Sequence, residues 1–136
     1  CKSIYPIVID ETTKYEINPN LVLGLIKVES NFDEYVVSDK GAIGLMQIMP
    51  ETGDRFSCDD LYNKVENIKC GIKVLKQLFL KFKGNIKYVL TAYYMGEGSV
   101  LPYIKKNIDP PNNNYINQVL FWKNKFEKNG CNALLY

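Results

Sequence analysis

A carboxylate in the middle of an apolar helix face is the first residue of this chain that invites chemistry. On a helical wheel advancing about 100° per residue, with Val22 at zero, Leu25 falls near about −60°, Ile26 near about +40° and Glu29 near about −20°. Burying such a group charged costs several kcal/mol unless it is paired. Glu29 must therefore gain a cation, stay protonated through a raised pKa, or lie where the helix end meets a cleft. A core salt bridge is the structural outcome, with Lys27 or Arg55 as partner. The other two outcomes describe a general acid. The chain has no His, which excludes Ser/His/Asp and Cys/His catalysis and His-containing zinc sites, so any acid or base here is another group.

The cysteines are the second chemical feature. Cys1, Cys58, Cys70 and Cys131 contain no CxxC pair, so an all-cysteine site would need assembly from scattered positions, and neither a metal nor another cofactor is expected. An even number in a small domain suits two bridges in an oxidising compartment. Adjacency pairs Cys58 with Cys70 and leaves Cys1 with Cys131 to join the ends. Four buried free thiols are the alternative; a lipidated Cys1 would leave an odd three. No charged-then-apolar leader precedes Cys1, so an export signal is expected to have been removed or left out of the sequence.

The elements that position these residues read as helices in one domain, residues 1–136. A length of 136 residues with 46% hydrophobic and 24% charged content suits a single core. Seventeen basic against fifteen acidic residues leaves +2, too little for a phosphate-binding stripe despite a locally basic stretch from Lys64 to Lys87, so nucleic acid is not an expected partner. The nearly unbroken apolar stretch Leu21 to Ile26 falls far short of the roughly 20 residues of a membrane span. Ser3 with Pro6 opens a helix to about Tyr15, and Asn18-Pro19 caps a second to about Asn31. Val65, Ile68, Ile72, Leu75, Leu78, Phe79 and Phe82 mark a long central helix stopped by Gly84. Asn85 caps another from Ile86 to Met95, broken by Gly96 and Gly98, and Ile116, Val119, Leu120 and Phe126 outline a last one ending at Gly130. The run Asn107 to Asn114, with Pro110 and Pro111, reads as a surface loop. No strand alternates for more than a few residues.

Downstream of the acid the chain runs Glu29-Ser30-Asn31-Phe32 and then, from Ser38 to Thr52, SDKGAIGLMQIMPET. These segments match in full the ES-x-F and S-x-x-G-A-x-G-L-M-Q-x-M-P-x-T signatures of the soluble lytic transglycosylases, which the chain resembles. That family cleaves peptidoglycan on a goose-type lysozyme-like fold. The resemblance continues through Asn67-Ile68 with Gly71, Ala92-Tyr93 with Gly96 and Val100, and Tyr115-Ile116 with Val119, from about Pro19 to Trp122. It implies a mainly α, single lysozyme-like domain with a substrate cleft. The pattern fails at one place: the usual A-Y-N-A-G reads Ala92-Tyr93-Tyr94-Met95-Gly96, with Tyr94 in place of the Asn.

The resemblance assigns Glu29 as the catalytic group. It would protonate the glycosidic oxygen between N-acetylmuramic acid and N-acetylglucosamine, then take the proton of the muramoyl O6 hydroxyl, leaving a 1,6-anhydro sugar. One acid suffices when the substrate's own N-acetyl group stabilises the cation. Asp33, Glu34 and Asp39 lie in a polar connection and read as solvated. The positions matching substrate contacts are Ser38, Gln47, Met49, Tyr93 and Tyr115, with Tyr94 at the departure. Without the resemblance, Met49 and Tyr93 fit a core as well as a cleft, Gln47 fits a loop brace, and Trp122 fits the core beside Val119 and Phe126. The expected setting is extracytoplasmic, periplasmic or secreted at the cell wall, as a monomer on peptidoglycan glycan strands, with a secretion or conjugation apparatus as a further partner class. The rival readings are a hydrolysing muramidase of the same fold and a non-catalytic wall-binding or secretion-assembly module.

Overall fold

A computed structural model describes residues 1–111 and 113–135. Its helices are α1 (Tyr5–Tyr15), α2 (Pro19–Ser30), α3 (Pro50–Arg55), α4 (Lys64–Lys81), α5 (Ile86–Met95), α6 (Leu101–Lys106) and α7 (Asn114–Asn129), with 3-10 turns at Glu97–Val100 and Gly130–Leu135. Among the described residues the only β pairing is two isolated antiparallel bridges, Val37 with Ile43 and Ile43 with Ile48.

Asparagine side chains start four of these helices. The Oδ1 atoms of Asn18, Asn63, Asn85 and Asn113 accept from backbone N–H groups in the first turns of α2, α4, α5 and α7, satisfying donors that a helix leaves unpaired. The first helix differs from expectation: Ser3 is not its cap. Ile4 precedes Tyr5 without a side-chain cap, and the Cys1 carbonyl accepts from both Ile4 and Tyr5 N–H at 3.1 Å. The chain leaves α2 through Asn31 in a left-handed conformation, φ 51°, and α5 stops at Gly96, φ 96°. The short α3 and α6 each carry Pro in the first turn but are too brief to show a hydrophobic period. The loop expected from Asn107 to Asn114 is non-helical over its described residues up to Asn113, Asn114 already belonging to α7; Asn112 lies outside the described residues.

The core is a single cluster to which every long helix contributes, including Val22, Leu25 and Ile26 of α2, Ile68, Ile72 and Leu75 of α4, Leu90 of α5, and Ile116, Val119 and Phe126 of α7. The crossing that matters most for function is α2 on α7. A Cβ at Gly24 would stand 2.7 Å from the Val119 carbonyl oxygen and 3.0 Å from the Lys123 nitrogen, so only glycine lets the two backbones approach this closely. Trp122 is half-buried at the core margin, 5.9 Å from Phe126 between ring centroids, and the ammonium groups of Lys27 and Lys125 sit 4.8 and 4.9 Å from its ring.

Two disulfides close the molecule, Cys1 with Cys131 and Cys58 with Cys70, the pairing that the cysteine spacing favours. The first spans a sequence separation of 130 and the second 12. In the loop-entropy description they contribute about 5 and about 3 kcal/mol respectively. Replacing both Cys1 and Cys131 by Ser should therefore lower the thermal midpoint, read by circular dichroism, by about 10 °C or more, with a smaller drop for the Cys58 and Cys70 pair.

Candidate active site

Glu29 sits in the last turn of α2, on the face that carries Val22, Leu25 and Ile26 into the core. From the Gly24 crossing it lies five residues on, about 7.5 Å along the helix axis, while Tyr115 lies four residues back from Val119, about 6 Å along α7. Antiparallel packing thus brings the two together: the Tyr115 hydroxyl donates to Glu29 Oε2 at 2.9 Å. The other carboxylate oxygen accepts no hydrogen bond among the described residues. Burial raises the Glu29 pKa from 4.5 to about 7, and the Tyr115 hydrogen bond draws it partly back. The negative end of the α2 dipole works in the same direction as burial.

The cations weighed as partners are elsewhere. Lys27 Nζ hydrogen-bonds to Asn31 Oδ1 and lies over Trp122, and the Arg55 guanidinium lies 5.8 Å from the Phe56 ring centroid. No salt bridge involves Glu29 among the described residues. The carboxyl is held by a neutral phenol, whose hydrogen bond favours the carboxylate, in low-dielectric surroundings that favour the protonated form more strongly.

Two more tyrosines complete the cluster. Tyr93 donates its hydroxyl to the Met46 carbonyl at 2.6 Å; burial first, and then the nearby Glu29 charge, push its pKa well up. Tyr115, 7% exposed, is pushed up in the same way, by burial before the Glu29 charge. Tyr94, 57% exposed, lays its ring on that of Tyr115 with centroids 4.2 Å apart and planes 8° from parallel. Its hydroxyl makes no hydrogen bond among the described residues.

The segment from Val36 to Met49 forms the adjoining wall. Gln47, at φ 52°, spends both amide hydrogens on the Val36 and Gly44 carbonyls at 3.2 and 3.0 Å. It is a brace, with only its oxygen left to offer a ligand. Ser38 Oγ accepts from Ala42 N–H at 3.0 Å and keeps its own proton to donate. Met49 is half-buried just ahead of α3. The structure therefore joins Glu29, Tyr115 and Tyr94 directly, sets Tyr93 close enough to feel the Glu29 charge while bonded to Met46 beside Gln47, and leaves Ser38 and Met49 without a hydrogen bond to the cluster among the described residues.

Two residues quoted only as part of the family pattern turn out to hold this wall. Asn67, buried in α4, donates to the Ile43 and Leu61 carbonyls at 2.8 and 2.9 Å and accepts from Met46 N–H at 2.9 Å. One turn on, Gly71 faces Met46 so closely that a Cβ would overlap its side chain. Asn67, Gly71 and Leu75 share one stripe at four-residue spacing, so a polar and a minimal residue inside an apolar stripe were the available signal.

This fold and site define a lysozyme-like helical domain built around a single acid. The chain belongs to the Transglycosylase SLT domain family, whose model matches residues 6–116. It is 35% identical over 114 residues to the membrane-bound lytic murein transglycosylase C of Glaesserella parasuis serovar 5 (strain SH0165), covering 71% of this chain and 31% of that protein. The 70 kDa soluble lytic transglycosylase of Escherichia coli superposes with a TM-score of 0.67 at 28% identity, covering 74% of this chain and 18% of that one. The lytic transglycosylase Slt of Pseudomonas aeruginosa, solved as an inactive Glu→Gln mutant, gives a TM-score of 0.67 at 25% identity over 87% of this chain and 20% of that one. The chain thus spans about a third of the length of the curated relatives it matches and about a fifth of the solved ones.

Two stability predictions follow from the geometry. A carboxyl whose folded pKa is raised favours the protonated fold, so the penalty for ionising Glu29 is absent below about pH 4.5 and complete above about pH 7. Glu29→Gln should therefore be more stable than the parent chain by up to about 3 kcal/mol at pH 8, a gap closing towards pH 4.5, measured by urea unfolding. Asn67→Ala should destabilise by about 3 kcal/mol in the same assay, because three buried backbone groups lose their partner together.

Proposed function

We propose that this chain is the catalytic domain of a peptidoglycan lytic transglycosylase acting outside the cytoplasm on glycan strands of the cell wall. The observation that carries the reading is one half-buried glutamate, bonded through one oxygen only among the described residues, whose pKa desolvation raises to about 7. A group titrating near working pH can give a proton and take one back in the same turnover.

Protonated Glu29 delivers its proton to the oxygen linking C1 of N-acetylmuramic acid to C4 of N-acetylglucosamine, and the C1–O bond breaks. The substrate's N-acetyl carbonyl carries the positive charge that develops at C1. The muramoyl O6 then bonds to C1, and its proton passes to the Glu29 carboxylate, restoring the acid. Water is neither consumed nor released. Tyr115 supplies a hydrogen bond that favours the carboxylate during the half of the cycle in which it exists.

Burial and Tyr115 are the causes of the Glu29 shift, and no acidic group among the described residues contributes to it, which supports this route over hydrolysis. Asp33 and Asp39 are exposed, and Asp33 accepts from Tyr35 N–H at 2.9 Å within its own turn. An inverting or retaining glycosidase would need a partner carboxyl within about 5 to 9.5 Å. Around Glu29, Tyr93 and Tyr94 offer flat faces, Ser38 a donor and Gln47 an acceptor suited to pyranose rings and acetamido groups, with Met49 as an apolar wall. The Glu→Gln change in the inactive Pseudomonas aeruginosa relative supports placing the chemistry on a glutamate.

Digestion of purified peptidoglycan with mass analysis of the products tests the reading. Anhydro ends, lighter than reducing ends by one water, are expected, and Glu29→Gln should lower their release at least about 100-fold while glycan binding persists. Reducing ends would assign a hydrolysing muramidase, and binding without any product a wall-binding module. Either result rejects the proposal.

A further inference from the structure

The sequence carries Tyr94 where the family pattern has Asn, and the structure gives that tyrosine an arrangement an Asn side chain could not make. Its ring covers the Tyr115 ring face to face, 4.2 Å between centroids and 8° between planes. The covered tyrosine is the one whose hydroxyl meets Glu29 Oε2. Three groups therefore stand in series: exposed Tyr94, buried Tyr115, and the half-buried carboxyl.

We infer that Tyr94 is a positioning residue for Glu29, acting through its ring, which clamps Tyr115 on the carboxyl, and not through its own hydroxyl. The inference rests on the function proposed above for Glu29. A phenol oxygen swings by about 1 Å when its ring pivots by about 10°, enough to carry a 2.9 Å hydrogen bond outside its normal range. Tyr115 lies in the first turn of α7, where its backbone is less restrained than mid-helix, so a stacked partner supplies the missing restraint. Among the described residues the ring stacked on Tyr115 is that of Tyr94 and not that of Tyr93. The Tyr94 hydroxyl, lacking any partner among the described residues, has no visible role in the clamp. The same residue keeps its outer side open, so positioning Tyr115 does not exclude contact with a sugar ring.

The test compares Tyr94→Phe, which keeps the ring, with Tyr94→Leu, which removes it, each alone and with Tyr115→Phe. Tyr94→Phe, which keeps the stacked ring, should retain more of the parent's kcat on murein than Tyr94→Leu does. Tyr94→Leu should lower kcat about three- to tenfold, the span expected of an aromatic pair, and by a larger factor than it changes KM. Combined with Tyr115→Phe, which removes the hydroxyl being positioned, Tyr94→Leu should cost nothing further. Equal damage from Phe and Leu, no damage from Leu, or a full Leu effect in the Tyr115→Phe background would each overturn the inference. An activity-independent readout separates its failure from failure of the proposed function. The Tyr115 hydroxyl proton, followed by NMR in the free protein, should exchange slowly in the parent and in Tyr94→Phe, and rapidly in Tyr94→Leu. Slow exchange in the Leu variant would overturn the clamp even if the parent released anhydro products, and the expected pattern would support it even if no product formed.

Discussion

The hydrogen bond from Tyr115 to Glu29 depends on how closely two antiparallel helices can approach. Any side chain at position 24 would meet the backbone of α7, pushing apart the helices that carry the acid and its phenol. Close packing also dries the site. The energy that desolvation withholds from the charged carboxylate is what lifts its pKa to about 7. Packing and reactivity are thus one interaction: the contact that completes the core also turns an ordinary glutamate into a group able to exchange protons near neutrality. The arrangement makes the active form less stable than it would be with a neutral side chain there, as expected where function requires an uncomfortable charge.

A second constraint joins the cluster to the wall beside it. The segment from Val36 to Met49 has almost no regular pairing, so its polar backbone needs partners from elsewhere. Asn67 supplies two of these contacts from inside α4, Gln47 two more, and Tyr93 takes the Met46 carbonyl. The Cys58–Cys70 bridge ties the next stretch of chain to the same helix, one turn beyond Asn67. Rigid helices therefore hold an irregular loop of adaptable polar groups in place through Tyr93 and Asn67, with Gln47 bracing it from within.

Much of this was legible in the residues. Helical periodicity and asparagine caps located the five long helices, and the wheel position of Glu29 marked it as a carboxylate in an apolar face. The cysteine spacing favoured the observed bridges. What the sequence could not show was distance. Lys27 and Arg55 were reasonable partners for a buried acid by charge, but the partner lies 86 residues away and is uncharged. Tyr115 and Gln47 matched substrate-contacting positions, yet the Tyr115 hydroxyl is bound to Glu29 and both Gln47 amide hydrogens to the loop backbone, which only the folded geometry reveals. Asn67 and Gly71 were visible as family residues without a role, because their work is to satisfy backbone groups 21 to 24 residues upstream and to admit Met46. Helices as short as α3 and α6 carry too few residues for a period to emerge.

The central claim is that a single carboxyl, half-buried and held by one phenol, titrates where it can serve as both acid and base. Titrating the Glu29 side-chain carbon by NMR in the selectively labelled free protein addresses it without substrate. A midpoint near 7, falling outside the range of the other glutamates, is expected. A midpoint near the ordinary 4.5 would contradict it, leaving Glu29 ionised at neutral pH and unable to donate the first proton.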